Sequence, residues 1–169
     1  GCSSQNRKVS RRHGAKGHLY GVSFANLEKL RALIVRDQEL AEKLWSTGNS
    51  DARILATMIA DPARISAATL DKWLADLDYY VLTDALAGNL LARMPDARDS
   101  MAKWTQSDHE WIARAGWQLV AHVAMSDADL PDRAFEPYMR HVERGIQRAK
   151  NRVRDAMNNA LIAIGIRNS

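Results

Sequence analysis

Tyr80 and Asp84 stand four residues apart in the stretch DYYVLTDALAGNLL. On a helix that spacing stacks both side chains on one face. An aspartate on an apolar stripe with Val81, Gly88 and Leu91 must find a partner or line a wet surface. A carboxylate beside a flat ring suits a cationic base, because the ring stacks on it and the carboxylate attracts its charge. Further on, Arg114 lies between Trp111 and Trp117 in DHEWIARAGWQLVAH. A guanidinium fork matches the oxygens of a phosphate. A purely structural alternative stays open, in which Asp84 pairs with Arg114 or another arginine between helices. Trp111 and Trp117 point to different faces, so at least one belongs to the core. Trp45 and Trp73 fit packing anchors better than base stackers.

Other chemistries are poorly supplied. The five histidines and single cysteine have no metal-ligand spacing, so no metal and no cofactor are expected. No glycine-rich phosphate loop and no nucleophile elbow are present. Cys2 has no partner for an internal disulfide. No apolar run approaches a membrane span, so no membrane partner is expected. Gly88 allows close helix packing. Asn158 and Asn159 lie on adjacent faces, so one of them turns outward or toward a groove, where an amide can hold a phosphate or a base edge.

Charge is distributed unevenly over the 169 residues. Arg7, Lys8, Arg11, Arg12 and Lys16 near the start face no acid, and the last thirty residues hold seven arginines and lysines against Glu143 and Asp155. Two basic ends therefore flank an acidic middle. That asymmetry points to an acidic partner, nucleic acid first, or else to solvated helix faces. Arg148, Lys150, Arg152 and Arg154 are candidate phosphate contacts.

The elements that must position these residues are helices. The 3.6-residue period recurs from end to end and strand alternation is almost absent. Ser23 is expected to cap a first helix bearing Phe24, Leu27, Leu30 and Ile34. A second runs from Gln38 and stops at Gly48, and Asp51 opens a third that ends before Pro62. Ser66 opens a fourth, and a fifth spans Asp78 to Arg93. A helix of about ten residues precedes Ser107, where Ser107 and Glu110 form a capping box for a long helix reaching Met125. Pro131 and Pro137 bracket two short helices or one kinked one. A last helix runs from Lys150 to Ile164, closed by Gly165. The expected fold is all-α, a right-handed α-solenoid of antiparallel helix pairs beginning near residues 38, 66, 97 and 131. A compact bundle is the alternative. A single domain over residues 1–169 is expected from the length.

The ordered series of motifs resembles the AlkD-like DNA alkylation repair family, a set of HEAT-like, armadillo-like helical-repeat proteins. RRHGAKG and YGVSFANLEKL resemble its opening, and ELAEKLWSTGNSDARILATMIADP its second repeat. DYYVLTDALAGNLL, KWTQSDHEWIARAGWQLVAH and VRDAMNNALIAIGIRN follow in order.

The resemblance implies a DNA N-glycosylase that releases cationic N3- or N7-alkylated purines from duplex DNA. Such bases already carry positive charge and leave readily. What remains is to stabilise an oxocarbenium-like sugar and place water, which a fixed anion can do. The family pattern places the catalytic carboxylate at Asp84, with DNA contacts at Tyr80 and Arg114. Tyr80 stands where the family has Trp, and Asn159 where it has a further aromatic. Trp111, Arg148, Lys150 and Arg152 complete the expected DNA-binding set. The alternative is a non-catalytic DNA-binding homologue on the same scaffold. Either acts as a monomer in the bacterial cytoplasm, at the nucleoid. The chain starts GCSSQNRK rather than with Met, and against the family it is expected to lack part of both natural ends and a full leading helix.

Overall fold

In the computed structural model, residues 3–167 are described, and all regular structure among them is helical. Cys2 lies outside the described residues. The chain divides into two compact units, Gly1–Pro95 and Asp96–Ser169.

The first unit holds six α-helices: α1 Ser4–Arg12, α2 Phe24–Ile34, α3 Gln38–Ser46, α4 Ser50–Ile59, α5 Ala67–Ala75 and α6 Tyr80–Asn89. Caps set most starts. Ser3, Ser23, Asp37, Asn49 and Ser66 each accept a backbone N–H of the following turn. Ser3 caps α1, a nine-residue helix that the polar sequence SQNRKVSRR disguised. Asp51 does not open α4, because Asn49 is the cap. The Asp51 carboxylate instead accepts from the Gly21 N–H at 2.7 Å. Gly21 has φ +78°, and a Cβ there would fall 2.4 Å from the Ser3 carbonyl, so glycine is required where α1 crosses this loop.

α4 is the central helix, with α2, α3 and α6 packed on it. Trp45 of α3 and Trp73 of α5, both buried, stack with centroids 4.2 Å apart and planes within 4°. The Trp45 indole N–H donates to Asp76 at 2.9 Å, and Arg53 reaches the same carboxylate at 3.3 Å. As expected, these tryptophans anchor packing. Asp76→Ala strands the buried indole donor and should lower the stability of this unit by about 1–3 kcal/mol, measured by chemical denaturation.

α6 begins at Tyr80 rather than Asp78, and it gives way to a 3-10 turn at Leu91–Arg93 instead of continuing. Its buried face is Leu82, Thr83, Leu86 and Ala87. Asp84 is therefore not on the buried stripe. It shares the half-exposed face with Tyr80, Val81, Ala85 and Asn89.

The second unit holds α7 Ala97–Thr105, α8 Glu110–Ser126, α9 Glu136–Gly145 and α10 Asn151–Ile166, with 3-10 turns at Asp132–Phe135 and Ile146–Arg148. α8 packs on both α7 and α10. Gly116 makes the first contact possible: a Cβ there would lie 2.6 Å from the Thr105 nitrogen, a backbone atom that cannot swing away. The expected capping box is absent. Ser107 Oγ accepts from the His109 N–H at 3.2 Å, an i to i+2 turn that competes with the cap, and α8 starts without a side-chain cap. Pro137 sits in the first turn of α9, where its missing N–H costs nothing. Gly165 does not close α10, which runs on to Ile166. Arg167 follows. It donates to the carbonyls of Ala124, Asp127 and Leu130, pairs with Asp132 and lies over the Phe135 ring, so this cation is spent inside the unit.

Candidate functional site

In the first unit, Tyr80 and Asp84 line one groove of about 320 Å³ with Phe24, Glu28, Met58 and Asn89. The ring and the carboxylate are thus brought together as their spacing required. Asn89 is held by donating to Thr57 Oγ1 at 3.0 Å. Tyr80 is oriented from α1: its hydroxyl hydrogen-bonds His13 Nδ1, and the rings meet edge-on at 5.6 Å. Sequence reasoning missed Phe24, Glu28, Met58 and His13. Phe24 reads as a core residue of α2 by periodicity, yet only Leu27 of that helix is buried. Glu28 adds a second carboxylate to the groove, paired with Arg31 at 2.7 Å. An acidic groove with two rings is chemically suited to a flat cation.

The remaining candidates lie in the second unit. Arg114 is 2% exposed, and its Nη1 donates to Asp155 at 2.8 Å and to the Arg152 carbonyl at 2.7 Å. A guanidinium this buried is a strut between α8 and α10. Trp111 is half-buried, while Trp117 is core, edge-on to Tyr138 and to His141 at 5.2 Å. Arg152, Asn158 and Asn159 are exposed on α10.

Arg148 and Lys150 line a cleft of about 440 Å³ floored by Ala113, Val153 and Met157. A second hollow shares Arg148, His141 and Gln106 with it and adds Arg144. The cations are fixed rather than loose. Arg144 donates to the Arg140 carbonyl, Arg148 to the Arg144 carbonyl and Lys150 to the Asp108 carbonyl, all within 3.2 Å. Residues near the starts of α8 and α10 line this cleft, and both helices lack a side-chain cap. Uncapped amino ends present N–H groups and positive dipole to an anion. Asp108 and Glu110 also line this cleft and add some negative charge to it.

Burial, and then the Arg144 charge, lower the His141 pKa below the usual imidazole value. The unfolded chain therefore takes up this proton first as pH falls. Stability is fully present above the ordinary histidine value and declines as pH drops through it toward the lowered one. Melting curves between pH 7.5 and 5 should show this loss, and His141→Gln should flatten it. An identical pH slope in that variant counts against the assignment.

No group of three or more potential metal ligands occurs among the described residues, and no helix there is long and apolar enough to cross a membrane. A helical-repeat protein with an acidic, aromatic groove in one unit and a fixed cationic cleft in the other is the class defined so far. A sequence profile of the DNA alkylation repair enzyme family matches residues 3–169, and the chain belongs to that family. It is 29% identical over 166 residues to an uncharacterized protein of Listeria monocytogenes, covering 94% of this chain and 71% of the relative. A protein of Listeria innocua matches over the same span at 28%. Among solved structures, it superimposes with a TM-score of 0.91 and 29% identity on a member of a family of proteins related to the HEAT-like repeat DNA glycosylases with affinity for branched DNA structures. That match covers 98% of this chain and 71% of the other. The all-α fold expected from helical periodicity stands, as does the HEAT-like repeat class that the resemblance implied.

Proposed function

We propose that this chain binds structured DNA through its phosphates, as a monomer at the bacterial nucleoid, and prefers branch points to plain duplex. The observation that carries the reading is the fixed cationic row Arg144, Arg148 and Lys150 beside two uncapped helix starts. Such a surface holds phosphates without reading sequence. The branch preference is supported by the solved relative with affinity for branched DNA. A fluorescence-anisotropy comparison of a three-way junction with a linear duplex of equal length tests it. Tighter junction binding is expected, and equal binding refutes the preference.

A second reading, release of cationic alkylpurines, is favoured by one observation: Asp84 and Tyr80 line the same open groove. On that reading Asp84 stabilises the oxocarbenium-like sugar while the ring stacks on the leaving base. Incubation with methylated duplex DNA should free base, and Asp84→Asn, which keeps shape and removes charge, should slow release by about a hundredfold or more. No release from any alkylated substrate leaves the binding reading alone. Tyr80→Trp should raise the rate if the ring is a stacking platform, and leave it unchanged if it merely packs.

A further inference from the structure

The Asp84 groove continues past Phe24, Tyr80 and Val81 into a second, more enclosed hollow of about 300 Å³. Asn6 and Ser10 of α1 form one wall together with His13, the residue after that helix, and Leu27 and Ile54 are among the apolar residues that line it. α1 buries none of its own residues. It is held by polar bonds, with Ser3 N and Asn6 Nδ2 donating to the Gly21 carbonyl at 3.0 Å and His13 bonded to Tyr80. Its Arg7, Lys8, Arg11 and Arg12 are exposed, with no acid on the helix. At the rim, Phe24 is 53% exposed.

We propose that this hollow receives one unpaired nucleobase of bound DNA, with the α1 cations on the phosphates beside it. The inference rests on the structured-DNA reading and names the feature recognised. A base inside a duplex has both faces stacked and its edge paired. A branch point, gap or flap offers a base with a free face. The hollow has the size for one base, the Phe24 and Tyr80 rings for stacking, and amide and hydroxyl groups at Asn6 and Ser10 for its polar edge. The charge of α1 complements the backbone that must accompany the base. An apolar peptide would gain nothing from those cations, which argues for the polyanion.

The test places 5-iodouracil at the unpaired position of a flap and measures affinity and photo-crosslinking with the full chain. Crosslinks are expected on Phe24, Tyr80 or His13. Ser10→Trp, which fills the hollow, should weaken flap binding about tenfold, the usual size of one base–aromatic stack, and leave linear duplex binding unchanged. Phe24→Ala, at an exposed position, should lose the crosslink to residue 24 and keep the melting temperature. Tight flap binding with crosslinks elsewhere and no effect of Ser10→Trp overturns this proposal alone. Loss of self-association in Ser10→Trp, with flap affinity intact, assigns the hollow to a second copy and also overturns it. Absence of any DNA binding overturns both this proposal and the reading beneath it.

Discussion

Neutralising Arg144, Arg148 and Lys150 together, each to Gln, is expected to cut DNA affinity roughly 10²–10³-fold at 0.1 M salt. Each phosphate contact releases counterions and contributes a slope of about −0.9 in log affinity against log salt. Three contacts therefore remove nearly three units of slope, and at tenth-molar salt the same number of decades of affinity. The stability cost should be small, because all three side chains are exposed and their bonds go to backbone carbonyls. A salt titration of the triple variant by anisotropy reads slope and affinity together. A slope unchanged from the parent chain would remove these residues from the interface.

Arg114→Ala is expected to lower the stability of the second unit by roughly 2–4 kcal/mol, chiefly through lost packing and lost charged hydrogen bonds. The side chain is 2% exposed and ties α8 to α10 through Asp155 and the Arg152 carbonyl. Asp155 is itself 54% exposed, so water can take over its solvation when the guanidinium is gone, which keeps the cost below that of splitting a fully buried pair. Arg114→Lys should lie between, since it keeps the charge and loses the planar fork. Thermal melts of the three proteins check the order. A melt for Arg114→Ala within a degree of the parent would show that the residue is no strut.

The helices were legible because apolar residues recur at helical spacing and Ser23, Ser66 and the Gly48 stop are local signals. What failed was decided by tertiary competition. Ser107 and Glu110 have the pattern of a capping box, but the Ser107 hydroxyl is satisfied two residues on by His109. Asp51 reads as a cap because it precedes an apolar run, yet its carboxylate is claimed by the Gly21 loop. α1 has no apolar stripe to detect, since it lies on the unit through polar bonds. In the site, the pairing of Tyr80 with Asp84 followed from their spacing alone. The burial of Arg114 did not, because nothing local distinguishes an arginine bound by α10 from one facing solvent. Phe24 shows the reverse error: helical spacing marks it as core, but α2 turns it to a groove rim.

Binding of structured DNA is tested most directly by the affinity of the unmodified chain for a three-way junction and for a linear duplex of the same length and base composition, measured across a salt series. Tighter junction binding is expected at every salt, with both affinities falling steeply as salt rises. Equal affinity for the two, or binding indifferent to salt, would contradict the structured-DNA reading.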